Sequence, residues 1–148
     1  MRLYLDMCVY NRPFDDQSQS RIMIETQIFI MLLPMISEGR FDLINSFALE
    51  YENSKNPNIE NMLKISDFLG YSKDYISCDE GILDRSLELE KYGLMGMDAV
   101  HIACAEKAKA DFFVTCDYNL IKKLKRIDNI GIAYYNVIDF VSREVFKT

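Results

Sequence analysis

The chain has 148 residues, 49% of them hydrophobic and 27% charged, with a formal net charge of −6. That length fits a single domain over residues 1–148, and the apolar fraction is ample for one core. The acidic balance excludes a broadly basic nucleic-acid surface, although carboxylates gathered to hold cations would themselves raise the acidic count. No signal peptide is read, and no apolar run is judged long enough to span a bilayer, so a soluble cytoplasmic protein without a membrane partner is expected. Cys8, Cys78, Cys104 and Cys116 are scattered with no C-x-x-C pair, which argues for packing thiols over a zinc or disulfide framework.

In chain order, Arg2–Met7 reads as a first strand ending at Asp6, followed by a loop broken at Asn11, Arg12 and Pro13. Asp15, Asp16 and Ser18 offer N-caps for a long helix to about Ser37, with Ile22, Ile28, Met31 and Leu32 on its apolar side and Arg21, Glu25 and Gln27 on its wet side. Pro34 should bend or end that helix. Phe41–Asn45 suits a second strand, and Ser46 then caps a short helix carrying Glu50 and Glu52. After the break at Asn56-Pro57-Asn58, a helix runs from Ile59 to Phe68, and Tyr75–Ile76 is a weak extended signal. Asp79–Tyr92 reads as a helix with Ile82, Leu83, Leu87 and Leu89 inward.

Residues 96–120 then read as a helix opening near Asp98, a buried strand Phe112–Thr115, and a helix from Tyr118 to Ile127 that begins after Asp117. A last strand, Gly131–Tyr135, and a closing helix, Val137–Phe146, complete the chain. Strands alternating with helices imply a three-layer α/β/α architecture around a mostly parallel sheet. In such sheets, sites form at the carboxyl ends of the strands. Asp6, Asp98, Asp117 and one of Glu50 or Glu52 can meet there from separate segments. Uncompensated, the cluster would be costly, so a divalent cation is its expected partner. Oxygen ligands favour Mg²⁺ or Mn²⁺, which would lower the pKa of water and neutralise charge developing on a phosphodiester.

Three segments, YLDMCVYNRPFDD, SFALEYENSKNP and GMDAVHIACAEKAKADFFVTCDYNLIKK, resemble the PIN-domain superfamily of metal-dependent ribonucleases, to which VapC-like toxins belong. The resemblance covers nearly the whole chain. It implies a PIN-like fold, an endoribonuclease, and metal-site roles for Asp6, Asp98 and Asp117. Glu52 fits the family spacing from the Ser46 cap better than the alternate Glu50, and two positions apart on a helix both cannot face one site. The first strand departs from the common family pattern, with Met7 and Cys8 where many members have Thr and Asn. An RNA substrate, an antitoxin protein and a toxin–antitoxin setting are also implied.

Asn11, Arg12, Lys122 and Lys123 are candidate substrate contacts, while Thr115 and Asn119 are candidate supporting residues beside Asp117. His101, one turn after Asp98, is expected to pack or hydrogen-bond in preference to binding metal. The long apolar helix suggests a homodimer. The alternative function is a catalytically inactive PIN-like module that binds RNA or protein. A phosphoacceptor receiver domain ranks lower, because Met7 and Cys8 flank Asp6 where that chemistry needs an acidic pair.

Overall fold

The computed structural model describes residues 1–147. Five strands form one sheet in the order β3-β2-β1-β4-β5, and every pairing is parallel. They are β1 (Arg2–Leu5), β2 (Asp42–Ser46), β3 (Asp74–Ile76), β4 (Phe112–Thr115) and β5 (Ala133–Asn136). Helices cover both faces, giving the three-layer α/β/α arrangement. They are α1 (Met7–Asn11), α2 (Ser20–Ser37), α3 (Phe47–Ser54), α4 (Ile59–Leu69), α5 (Glu80–Lys91), α6 (Met97–Lys107), α7 (Tyr118–Leu124) and α8 (Val137–Phe140).

β1 is central because its side chains are buried on both faces: Leu3, Tyr4 and Leu5 are all inaccessible to solvent. The Tyr4 ring stacks on Phe113 of β4. After β1 the chain steps outward through β2 to β3, then returns to lay β4 on the other side of β1. The crevice at this reversal lies where the carboxyl ends of β1 and β4 meet. Leu5 is in register with Val114, so the next residues along, Asp6 and Thr115, lie side by side there.

Local chemistry accounts for most boundaries. Ser46, Asn58, Asp79 and Asn136 each cap the helix that follows them by accepting a backbone N–H. Gly93 (φ 103°) ends α5, and Gly96 (φ 55°) precedes α6, both in the left-handed region open to glycine.

Several expectations need correction. Asp6 caps a helical turn, α1, by accepting from Met7 N, where a loop was expected. A 3₁₀ turn at Arg12–Phe14 follows it. Asp15, Asp16 and Ser18 do not cap α2; its N-cap is Gln19, and Asp16 instead folds onto Ser18. Pro34, as expected, lies within the last turn of α2. Glu25 is fully buried, not on a wet face, while Met23, Ile24 and Ile30 are 44–49% exposed. Leu83 and Leu87 of α5 face solvent; only Ile82 and Leu89 of the expected four are buried. Cys78 is exposed and so is not a packing thiol. α7 stops at Leu124, and the closing helix passes into a π-helical segment, Val141–Val145.

α2 has, contrary to expectation, the length and composition of a membrane span. It also buries Glu25, which pairs with Arg12 (2.8 Å) and Arg21 (3.5 Å), and it packs against α8. A buried ion pair is how a core helix accommodates such a residue, and it is poorly suited to a lipid-facing one.

Candidate metal centre

Asp6 is the anchor of the site. Its Oδ1 accepts from Met7 N (2.8 Å), and its Oδ2 accepts from the Thr115 hydroxyl (2.8 Å) and, at 3.5 Å, from the Cys8 thiol. Thr115 Oγ1 in turn accepts from Asp117 N (3.0 Å). One hydroxyl therefore ties the end of β1 to the turn after β4. Cys8 lies against this tie, with Sγ 3.3 Å from Thr115 Oγ1 and accepting from Cys116 N.

Glu52 reaches Asp6 from the second turn of α3, and His101 from the second turn of α6. One ligating atom from each of Asp6, Glu52 and His101 lies within 4.8 Å of the others. His101 Nε2 is hydrogen-bonded to Glu52 Oε1 and lies 3.9 Å from Asp6 Oδ1. Its Nδ1 is 2.7 Å from the Tyr4 hydroxyl, itself 2.7 Å from Ser46 Oγ. Burial opposes a charge on the His101 ring, but the Glu52, Asp6 and Asp98 carboxylates outweigh it and raise the pKa above the ordinary value. Glu50 points elsewhere: it is exposed and accepts from Asn45 Nδ2 at 3.0 Å.

Asp98 and Asp117 flank this group without joining its tightest contacts. Among the described residues the Asp98 carboxylate takes no hydrogen bond, and it is half-buried. Burial, together with repulsion from Asp6 and Asp117, pushes its pKa up to about 6, against the pull of His101 and Lys123. Asp117 is exposed and caps α7, its Oδ1 accepting from Asn119 N (2.9 Å) and Leu120 N (3.1 Å).

The other expected residues divide. Lys123 lies near enough to Asp98 to lower its pKa, whereas Lys122 is simply exposed. Asn11 lines a cavity of about 280 Å³ beside Glu52, with Phe14, Asn56 and Asn61. Arg12 turns its guanidinium into Glu25 and Asp15, both at 2.8 Å. Asn119 borders a shallow cavity next to Asp117 that also includes Arg12 and Arg21. Arg21, read from the sequence as a wet-face residue, lies over the Tyr118 ring at 3.9 Å and donates to the Cys116 carbonyl. Its only sequence signal was the four-residue spacing to Glu25.

These residues fit a divalent cation. Asp6 and Glu52 meet at the strand ends, and the Asp98 carboxylate, raised by burial and by Asp6 and Asp117, takes no hydrogen bond among the described residues. An oxygen-rich donor set of this kind suits a hard ion, and the Asp6–Glu52–His101 group alone could hold a metal.

No family model matches the chain, and no curated protein matches it. Among solved structures, a chain from the crystal structure of VapBC2 from Rickettsia felis bound to a DNA fragment from their promoter superposes with a TM-score of 0.56. The match has 20% sequence identity and covers 92% of this chain and 98% of that one. With the all-parallel sheet in the order β3-β2-β1-β4-β5 and helices on both faces, this likeness shows that the chain has a PIN-like fold.

Proposed function

We propose that the protein is an Mg²⁺- or Mn²⁺-dependent endoribonuclease that hydrolyses RNA phosphodiester bonds, and that it is the toxin of a toxin–antitoxin pair. The observation that carries the reading is the Asp6–Glu52–His101 group at the strand ends, with the half-buried Asp98 carboxylate raised by burial and by Asp6 and Asp117 beside it. The cation, when bound, supplies a Lewis acid that lowers the pKa of water and neutralises charge on the phosphodiester.

The remaining tasks belong to the chain. Asp6 and Glu52 are the inner ligands, with Asp98 and Asp117 completing the set from the open side. Thr115 orients Asp6 by donating to its Oδ2, leaving Oδ1 turned toward Glu52 and His101. Lys123 stands near Asp98, where it meets a phosphate approaching the carboxylates, with Lys122 extending the positive edge. Asn11 and the cavity beside Glu52 give a flanking nucleotide room, and Asn119 and Arg21 border the opposite side.

The VapBC2 structure supports a protein partner of antitoxin type, which would act in the cytoplasm with this chain. The half-exposed Met23, Ile24 and Ile30 on α2 support a homodimer, which sedimentation at micromolar concentration would test: a monomer throughout sinks that part. The main test is RNA cleavage by the purified protein and by Asp6→Asn, with Mn²⁺ and with chelator. Metal-dependent cleavage lost in the variant supports the enzyme. Equal cleavage by both forms counts against the proposed site, and cleavage of no RNA tried leaves the non-catalytic module in its place.

A further inference from the structure

We infer that His101 is a positioning residue, a hydrogen-bond donor through Nε2 that aims Glu52, and not a ligand of the cation. The inference rests on the reading above only in taking Glu52 as part of the metal site.

An ionised carboxylate can only accept, so the ring nitrogen that touches Glu52 Oε1 must carry a proton; a bare Nε2 there would set lone pair against lone pair. On the other side of the ring, Nδ1 meets the Tyr4 hydroxyl at 2.7 Å. Tyr4 meets Ser46 Oγ at 2.7 Å, and Ser46 Oγ accepts from Leu49 N at 3.1 Å. With a neutral ring the chain closes with each hydrogen used once. Leu49 N–H donates to Ser46, Ser46 to Tyr4, Tyr4 to Nδ1, and Nε2–H to Glu52. Protonating Nδ1 reverses the Tyr4 hydrogen but leaves Nε2–H where it is.

The contact between the ring and Glu52 also differs from that of two ligands on one ion. Two ligands of one divalent ion lie about 3 Å or more from each other, with no proton between them. Here Nε2 and Oε1 are in direct hydrogen-bond contact. The relay begins at Leu49 and ends at Glu52, both on α3 and three residues apart. It passes through β2, β1 and α6 on the way, with Tyr4, Ser46 and His101 all buried. Glu52 is thus aimed by a framework fixed to the sheet as well as by its own helix.

His101 is the sole histidine, so its imidazole signals can be assigned without a variant. The test is a long-range proton–nitrogen correlation on the ¹⁵N-labelled full chain, in chelator and then with Mg²⁺. The expected result is a protonated Nε2 in both conditions, with a slowly exchanging proton that is lost in Glu52→Ala. An unprotonated Nε2 in chelator, or loss of that proton on adding Mg²⁺, overturns the inference.

Calorimetry with Mg²⁺ gives the second readout. His101→Leu should weaken binding by about 10- to 100-fold. His101→Gln, whose amide can donate from a similar position, should stay within about threefold of the wild type. Wild-type affinity in His101→Leu overturns the positioning role. If the wild-type protein binds no Mg²⁺, the metal reading fails, and the Nε2 proton and its dependence on Glu52 still decide whether His101 is the donor.

Discussion

The molecule solves the problem of buried acids in two ways. Glu25, fully buried in α2, is met by Arg12 at 2.8 Å and Arg21 at 3.5 Å, so the chain supplies its own counter-charge. Among the described residues, the cluster at the strand ends has no such arginine. Asp6 and Glu52 share one buried imidazole, and Asp98 has only the influence of that ring and of an exposed lysine. The first arrangement carries its counter-charge within the protein, whereas the second, on the proposed function, takes it from a bound cation.

Breaking the self-sufficient cluster should have the largest effect. Glu25→Ala leaves two arginines facing a buried gap and should cost about 3–5 kcal/mol, read as a shift of the urea midpoint at neutral pH. Asp6→Asn keeps the cap on α1 but removes an inner ligand, so RNA cleavage should fall by about 100-fold or more with the thermal midpoint of the metal-free protein little changed.

Asp98→Asn should act in the opposite direction on stability. The folded state holds the Asp98 proton up to about pH 6, whereas an unfolded aspartate loses it near its ordinary value. Stability therefore declines as pH rises between those two values, and the penalty is fully present above pH 6. In chelator at pH 7.5 the variant should be more stable by about 1–2 kcal/mol, after allowing for solvent screening of a half-exposed group. At pH 4 the gain should vanish, which paired denaturation curves would show. Glu50→Gln should be the quietest change, within about 0.5 kcal/mol and without effect on metal binding by calorimetry. A strong loss there would redraw the site.

The sheet was readable because β1, β2 and β4 are short apolar runs bounded by caps such as Ser46, and Asp6 and Asp117 sit at the residues where those runs stop. α1 was hidden because Asn11-Arg12-Pro13 carries the chemistry of a loop, yet the backbone coils as soon as Asp6 caps it. Glu25 was misplaced because α2 is apolar on nearly every side, so periodicity does not say which face is inward, and one of its partners lies 13 residues earlier. Glu52 could be favoured over Glu50 only by spacing. The link to His101 spans 49 residues and that from His101 to Tyr4 spans 97, distances across which local pattern carries no information.

If Asp6 and Asp117 hold the cation as proposed, their second role as helix caps has an evolutionary consequence. Asn caps a helix about as well as Asp, and the two codons differ by a single base. A point change at either position would therefore silence the chemistry while leaving the scaffold, its caps and its surface intact. On the proposed function, inactivation of this kind is one step away and costs little in folding. An inert descendant that keeps only its binding surfaces is the neighbour this architecture reaches most readily.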